Sequence, residues 1–177
     1  MPPSAGQPIS LALCFHSYRS SNLNIRSMGE DDLDKVSVVH TNTFPRQRHS
    51  KAWLSCTFKA YPRTLCFIIE QDNQIQGYII WAQKSGFRPA AVIELEQIAI
   101  DPSQQNKGLG QGLIEQSLSQ VKEQLSSMGS IVKHVLVSTR ADNYAQRIYR
   151  KVLGAEVEAT ISNLFSADEV YMVARNV

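Results

Sequence analysis

The spacing of apolar side chains near the start of the chain predicts an amphipathic helix. Leu33, Val36 and Val39 recur at the three-residue intervals that line one face of a helix. Ser27 and Glu30 have the spacing of a capping box, in which side chains satisfy unpaired N–H groups where a helix starts. The pattern therefore predicts that this helix begins just after Ser27.

Three further helices are predicted from apolar faces and from residues that stop a helix. One covers residues 50–61 and ends before Pro62, because proline cannot continue a helix. The longest has an apolar face formed by Leu109, Leu113, Ile114, Leu118, Val121 and Leu125. The last is marked by Ala145, Ile148, Tyr149 and Val152, with Gly154 at its end.

The remaining apolar runs predict seven strands. They cover residues 24–26, 64–70, 75–81, 91–100, 133–138, 156–162 and 169–174. The order of elements is β-α-α-β-β-β-α-β-α-β-β, which is an α/β architecture with a mixed sheet. The fourth strand, the long helix and the fifth strand form a crossover, so these two strands are expected to be parallel.

Length and composition are typical of one globular domain. The chain has 177 residues, of which 43% are hydrophobic and 19% are charged. No repeat or linker interrupts the chain after residue 22, so we expect a single domain over residues 22–177. Residues 1–21 are expected to be a loosely ordered extension because they contain Pro, Ser and Gly. Their apolar run Ile9–Phe15 is too short for a membrane span.

Charge and cysteine content argue against several classes of protein. The net charge is +2 without any long block of like charge, so we expect no nucleic-acid partner. Cys14, Cys56 and Cys66 show no CxxC spacing, and no histidine pairs with a cysteine at a metal-ligand spacing. We therefore expect no disulfide framework, no metal, no membrane partner and a cytoplasmic location.

Glycines concentrate in Gln105–Gly112, between a predicted strand and the long helix. Glycines let an anion approach the unpaired N–H groups of a helix N-terminus, so a phosphate or pyrophosphate is the expected occupant. A P-loop is excluded because Lys107 precedes Gly108 and no Gly-Lys-Ser/Thr follows. A dinucleotide fingerprint is excluded by the GxGxG spacing. This loop alone leaves open a glycine-rich turn that merely starts the helix.

Two motifs in this chain resemble the GNAT superfamily of acetyl-CoA-dependent N-acetyltransferases. Gln105, Gly108 and Gly110 match the superfamily signature Q/R-x-x-G-x-G/A. A second block, after the fifth strand, consists of Asn143, Ala145, Tyr149, Lys151 and Gly154. The resemblance extends over residues 24–174. It implies a GNAT-like fold, with a mostly antiparallel sheet, a central parallel crossover and flanking helices.

The resemblance implies acetyl-CoA as the cofactor. It assigns the pyrophosphate to the backbone amides of Gln105, Asn106, Lys107, Gly108, Leu109, Gly110 and Gln111. The Lys107 side chain would add charge there or remain solvated. The pantetheine arm is assigned to the backbone of Ile98, Ala99 and Ile100, with an amide such as that of Ile98 polarising the thioester carbonyl. Asn143 would bind the arm, cap its helix, or do both.

The resemblance also implies candidate catalytic groups. Tyr149 would protonate the leaving thiolate, and the alternative is that it is a core residue, because it lies on an apolar helix face. Glu94 and Glu96 lie two residues apart on one strand and so share a face. Either carboxylate would accept the proton of the amine, and the alternative is that both are polar residues on a half-exposed strand.

The acceptor is expected to be a primary amine of a small molecule such as a polyamine. Alternatives are a protein N-terminal or lysine amine, and a module that binds an acyl-CoA without catalysis. Acceptor specificity is expected from residues 44–53, 84–90 and 163–168. These segments carry Arg46, Arg48, His49, Trp53, Phe87, Arg88 and Phe165. The resemblance also makes a homodimer an expectation.

Overall fold

A computed structural model describes residues 23–177 of the chain. The predicted extension, residues 1–21, lies outside the described residues. The boundaries of the predicted helices and strands agree with the structure to within a few residues.

Seven strands form one mixed sheet, as predicted. They are β1 (Leu23–Ser27), β2 (Thr64–Gln71), β3 (Gln74–Gln83), β4 (Ala90–Ile100), β5 (Ile131–Arg140), β6 (Glu156–Ile161) and β7 (Glu169–Arg175). Their order across the sheet is β1-β2-β3-β4-β5-β7-β6. Among the strands of residues 23–177, only β4 and β5 pair in parallel, because the crossover between them returns the chain to the same end of the sheet. All other neighbours are antiparallel.

Four helices cover the two faces of the sheet. They are α1 (Leu33–Thr43), α2 (Ser50–Lys59), α3 (Leu109–Ser127) and α4 (Gln146–Leu153). α1 and α2 pack on one face, hereafter the α1 face, and α3 and α4 pack on the other, the α3 face. Each face has its own apolar core. None of the helices in residues 23–177 is long and apolar enough to cross a membrane.

The start of α1 differs from the predicted capping box. Ser27 remains in β1, opposite Phe67 of β2. The Asp32 carboxylate instead accepts a hydrogen bond from the Gly29 N–H at 2.8 Å. Arg26 binds the same carboxylate at 2.6 Å, and this hydrogen bond holds the pKa of Asp32 below its usual range. The polar pairing available to Asp32 therefore decides where the helix begins.

The parallel pairing of β4 with β5 ends before either strand ends. Their last paired residues are Leu95 and Val137. β4 continues to Ile100 along β3, whereas β5 continues to Arg140 along β7. The two strands therefore diverge and leave a gap in the middle of the sheet.

Candidate active site

The gap exposes one edge of the second half of β4. The Asp101 N–H donates to the Gln76 carbonyl oxygen at 2.8 Å, on the β3 side. Because backbone groups alternate along an antiparallel pair, those of Ala99 also face β3. Those of Ile98 and Ile100 face the gap. Of the three residues assigned to the pantetheine arm, Ile98 and Ile100 thus direct backbone donors and acceptors into the gap.

The glycine loop lies at the end of this exposed edge. The Gln105 Nε2 donates to the Ile100 carbonyl oxygen at 3.0 Å, which ties the loop to the strand. Asn106 and Gly108 have positive φ angles of 62° and 80°, and this turn leads directly into α3. Gly108 suits such a conformation because it lacks a side chain.

The N-terminus of α3 offers unpaired donors beside the gap. The Gly112 N–H bonds to the Gly108 carbonyl oxygen at 3.2 Å, the first bond of the helix. The N–H groups of Leu109, Gly110 and Gln111 belong to the first turn of the helix, so no carbonyl oxygen of the helix accepts a hydrogen bond from them. A Cβ atom added at Gly110 would meet only Ile100, at 3.8 Å. The space above these donors is therefore open, and together with the helix dipole it fits a pyrophosphate.

Two polar side chains of the loop and of α3 already have partners. The Lys107 Nζ donates to the Gln104 Oε1 at 2.8 Å and is exposed. The Gln111 Oε1 accepts a hydrogen bond from the Lys151 Nζ at 3.1 Å, which links α3 to α4. The backbone of the segment, rather than these side chains, is therefore what remains available to an anion.

Asn143 lies at the other side of the gap, between β5 and α4. Its Oδ1 accepts a hydrogen bond from the Ala145 N–H at 2.9 Å, where the helical turns begin. Its Nδ2 donates to the Thr139 Oγ1 at 2.8 Å. The side chain thus makes the capping contact that the sequence left open, and its exposed position also leaves room for a ligand.

Tyr149 projects from α4 into the core of the α3 face. The residue is 5% exposed. Burial raises the pKa of its phenol to about 12, so the hydroxyl is protonated at neutral pH. Within residues 23–177 this hydroxyl has no hydrogen-bond partner, and it keeps some contact with solvent. A buried ring with an available O–H group suits both a core residue and a proton donor.

A bulge in β4 places Gln97 on the same face of the sheet as the two candidate bases, the α1 face. Ile80 lies opposite Gln97, whereas the next residue of β3 lies opposite Leu95, so Glu96 is the extra residue. Leu95 and Ile98 both pack into the core of the α3 face. Glu94, Glu96 and Gln97 therefore point to the other face.

The two carboxylates have different surroundings. The Glu94 Oε2 accepts a hydrogen bond from the Lys84 Nζ at 2.7 Å. Glu96 has no such cation among the described residues. The pKa of the nearby Cys66 thiol is raised to about 12, mainly by burial of the thiol and further by the negative charge of Glu96. Of the two carboxylates, only that of Glu94 is paired with a cation within residues 23–177.

Sequence analysis did not identify Gln97 as part of this site. Its Oε1 accepts hydrogen bonds from the Tyr78 hydroxyl at 2.8 Å and the Trp53 Nε1 at 3.3 Å. The only signal in the sequence is the pair of consecutive polar residues, Glu96 and Gln97, which interrupts the alternation of β4. Partners that lie 19 and 44 residues away cannot be identified from spacing.

The three predicted acceptor segments lie mainly in loops at the ends of strands or helices. Of the predicted segment 44–53, residues 44–49 connect α1 to α2, whereas residues 50–53 form the first turn of α2 and are not a loop. The connection contacts β4 through Gln47, whose Oε1 lies 3.4 Å from the Gln97 Nε2. The segment 84–90 joins β3 to β4 and exposes Phe87, and the segment 163–168 joins β6 to β7 and exposes Phe165. Within residues 23–177, the structure brings no group of metal-ligating side chains together.

The gap thus joins groups from both faces of the sheet. Glu96 lies on the α1 face of the sheet, and Tyr149 belongs to the α3 face. Donors of β4 and of the α3 N-terminus lie along the gap. These donors offer successive hydrogen bonds to an extended ligand that carries an anionic group at the α3 end.

Comparison with known proteins identifies relatives of this architecture. Residues 33–155 match the model of the acetyltransferase (GNAT) family. No curated protein matches the chain in sequence.

Several solved structures share the fold. The ribosomal-protein-S18-alanine N-acetyltransferase of Escherichia coli is 21% identical with a TM-score of 0.68, covering 87% of this chain and 94% of that chain. The Bacillus subtilis acetyltransferase in complex with CoA is 16% identical with a TM-score of 0.63, covering 88% and 99%. An aminoglycoside 6'-N-acetyltransferase complexed with coenzyme A is 12% identical with a TM-score of 0.68, covering 87% and 97%.

Proposed function

The chain belongs to the GNAT acetyltransferase family and uses acetyl-CoA to acetylate an amine, and we propose that the gap between β4 and β5 is its active site. The observation that carries this proposal is the exposed edge of Ile98 and Ile100 leading to the unpaired N–H groups of α3. When bound there, acetyl-CoA supplies an acetyl carbon activated by its thioester bond. The N–H groups of Leu109, Gly110 and Gln111 hold the pyrophosphate.

The backbone of β4 orients the acetyl group. The Ile98 N–H faces the gap and donates to the position where negative charge develops on the carbonyl oxygen. Such a fixed donor stabilises the transition state because it needs no reorganisation during the reaction. Asn143 binds the arm with its amide in addition to capping α4.

Glu96 prepares the amine. A free alkyl ammonium has a pKa near ~10 and cannot attack until it loses a proton. The Glu96 carboxylate accepts that proton directly or through a water molecule. Support for Glu96 over Glu94 comes from the Lys84 ammonium, which already occupies the Glu94 carboxylate at 2.7 Å.

Tyr149 completes the proton transfers on the opposite face. Its phenol, kept protonated by burial, donates a proton to the departing sulfur and regains one from solvent. One feature supports this role: burial is the sole cause of the raised pKa, and no hydrogen bond among residues 23–177 occupies the hydroxyl.

The acceptor we propose is a primary amine of a small molecule, with the polyamine class as the first to test. The Glu96 carboxylate supports a cationic acceptor. The exposed Arg46 and Arg48 beside Gln47 oppose a polycation, because like charges repel. Protein N-terminal amines are therefore the second candidate, and the E. coli neighbour is an alanine N-acetyltransferase. A cytoplasmic location, a homodimer and a single domain from residue 22 remain predictions.

One experiment tests the proposal. Purified protein is incubated with acetyl-CoA and a panel of polyamines, amino acids, aminoglycosides and short peptides, and free thiol is followed. We expect release with one amine class, reduced in Tyr149→Phe. A melting shift with acetyl-CoA but no thiol release would instead favour the binding module. If acetyl-CoA gives neither thiol release nor a melting shift, the assignment of the gap as the active site is overturned.

A further inference from the structure

A chain of hydrogen bonds on the α1 face links the buried core to an exposed aromatic ring. Tyr78 is fully buried, and its hydroxyl donates to the Gln97 Oε1 at 2.8 Å. The Trp53 Nε1 donates to the same oxygen at 3.3 Å. The Gln97 Nε2 donates to the Gln47 Oε1 at 3.4 Å. One amide therefore connects β3, α2 and the α1–α2 loop.

The chemistry of the partners determines how the Gln97 amide is oriented. An indole N–H can only donate, so the atom it approaches must be the amide oxygen. The amide nitrogen then points to Gln47, which offers an oxygen. Gln97 thus cannot rotate by 180° without losing its partners, and the orientation of Trp53 is constrained in turn.

Trp53 is held beside the proposed base and is still open to solvent. The side chain is 46% exposed. Gln97, which binds it, is the residue next to Glu96 in the bulge, and both side chains point to the α1 face. An indole ring that is oriented by a hydrogen bond and faces solvent beside a carboxylate suits the carbon chain and the ammonium of an amine.

We propose that Trp53 forms the wall against which the acceptor lies, and that Gln97 is the positioning residue that holds this wall beside Glu96. This inference rests on the proposed acetyltransferase function. It gives the acceptor a chemical class, an amine whose neighbouring atoms are an alkyl or aryl chain able to pack on an indole. Gln97 acts through Trp53 and does not itself touch the reacting atoms.

Kinetics of three variants test the proposal. Gln97→Met keeps the length of the side chain and removes its hydrogen bonds, and Trp53→Phe keeps an aromatic ring and removes the indole donor. We expect each to raise the KM for the amine about tenfold, with the KM for acetyl-CoA and kcat changed less than about twofold. The double variant should raise the amine KM no further than Gln97→Met alone. Gln116→Met, on the exposed side of α3, is the matched control.

A spectroscopic measurement separates this proposal from the proposed function. The chain has two tryptophans, and Trp81 is 1% exposed, so iodide quenching reports Trp53. The probe is the amine that releases most thiol, or 2-phenylethylamine if none does. We expect it to protect Trp53 in the wild type and less in Gln97→Met.

Each result has a distinct meaning. Thiol release with an unchanged amine KM in both variants would overturn the wall and leave the acetyltransferase standing. Equal changes in the KM for acetyl-CoA would also overturn it, because they indicate a general loss of structure. Protection of Trp53 without thiol release from any amine would uphold the wall while the proposed function fails. If there is neither thiol release nor protection of Trp53, both the wall and the proposed acetyltransferase site are overturned.

Discussion

The Lys84 Nζ lies 2.7 Å from the Glu94 Oε2, and the Glu94 side chain is only 16% exposed. The carboxylates of Glu94 and Glu96 lie on one face of β4 but differ in ion pairing, because that of Glu94 already binds a cation. Glu96, two residues further on, has no such partner among the described residues. Because Lys84 of the preceding loop pairs with Glu94, we expect Glu96 rather than Glu94 to act as the base.

Exchange of each carboxylate for its amide tests this difference. We expect Glu96→Gln to lower kcat/KM for the amine by about 100-fold, the lower end of what a general base contributes. Glu94→Gln should lower it less than about fivefold. Steady-state kinetics with one amine and saturating acetyl-CoA measure both. The assignment fails if Glu94→Gln proves the more damaging change.

Tyr149→Phe removes one oxygen and leaves the buried ring in place. We expect kcat to fall about 100-fold, with little change in melting temperature, since no hydrogen bond within the described residues is lost. Burial raises the pKa of Tyr149 to about 12, so the donor stays protonated as the pH rises. Wild-type kcat should therefore show no alkaline loss up to about pH 10. A phenylalanine variant with full kcat would leave Tyr149 as a core residue only.

Gly110→Ala tests the effect of this glycine on the stability of the fold separately from its effect on acetyl-CoA binding. Alanine is a better helix former than glycine by up to about 1 kcal/mol, and its Cβ would meet only Ile100 at an ordinary 3.8 Å. We expect unchanged or higher stability together with a KM for acetyl-CoA changed by less than about twofold, because the signature Q/R-x-x-G-x-G/A accepts alanine at this position and the added methyl group points toward the Ile100 side chain. Thermal unfolding and kinetics measure the two effects. Ser119→Ala, on the exposed side of the same helix, should leave the KM unchanged.

Asn143 can be tested for its two roles separately. Asn143→Asp keeps the oxygen that accepts from the Ala145 N–H, whereas Asn143→Ala loses it. We expect the alanine variant to lose about 1 kcal/mol of stability and the aspartate variant to lose less. Both should raise the KM for acetyl-CoA, since both lose the amide donor. If the KM of the aspartate variant is unchanged, Asn143 is a cap and nothing more.

The ion pairs of Arg26 make stability depend on acid pH. Arg26 holds the pKa of Asp32 and of Glu70 below their usual ranges through hydrogen bonds. Carboxylates with a lowered pKa stabilise the fold above their unfolded pKa, near ~4, and this contribution is lost as the pH falls further. We expect Arg26→Gln to cost about 1 kcal/mol at pH 7, and less at pH 3. Urea unfolding at both pH values measures the difference, and an equal loss at both would contradict this explanation.

The sequence predicts the sheet and helices well because each long element has its own period. Leu113, Ile114 and Leu118 of α3 are buried as their helical spacing predicts. The parallel pairing of β4 and β5 follows from the long crossover between them. The predicted capping box was wrong because Ser27 is held in β1, a consequence of strand pairing that local spacing does not contain.

The candidate site was only partly predictable for the same reason. The glycine loop is local in sequence, so Gln105, Gly108 and Gly110 can be recognised from spacing alone. The Lys84–Glu94 pair and the contacts of Gln97 with Tyr78 and Trp53 depend on how distant segments pack. No pattern within one element indicates such contacts.

The bulge in β4 has a consequence for how this site could change over generations. Leu95 and Ile98 remain in the same core although two polar residues stand between them. Loss of the single codon for Glu96 would remove the bulge and restore plain alternation along β4. Every buried residue of β4 would then stay on the face of the sheet where it lies now. The strand can therefore acquire or discard its carboxylate by one in-frame insertion or deletion, with the fold preserved.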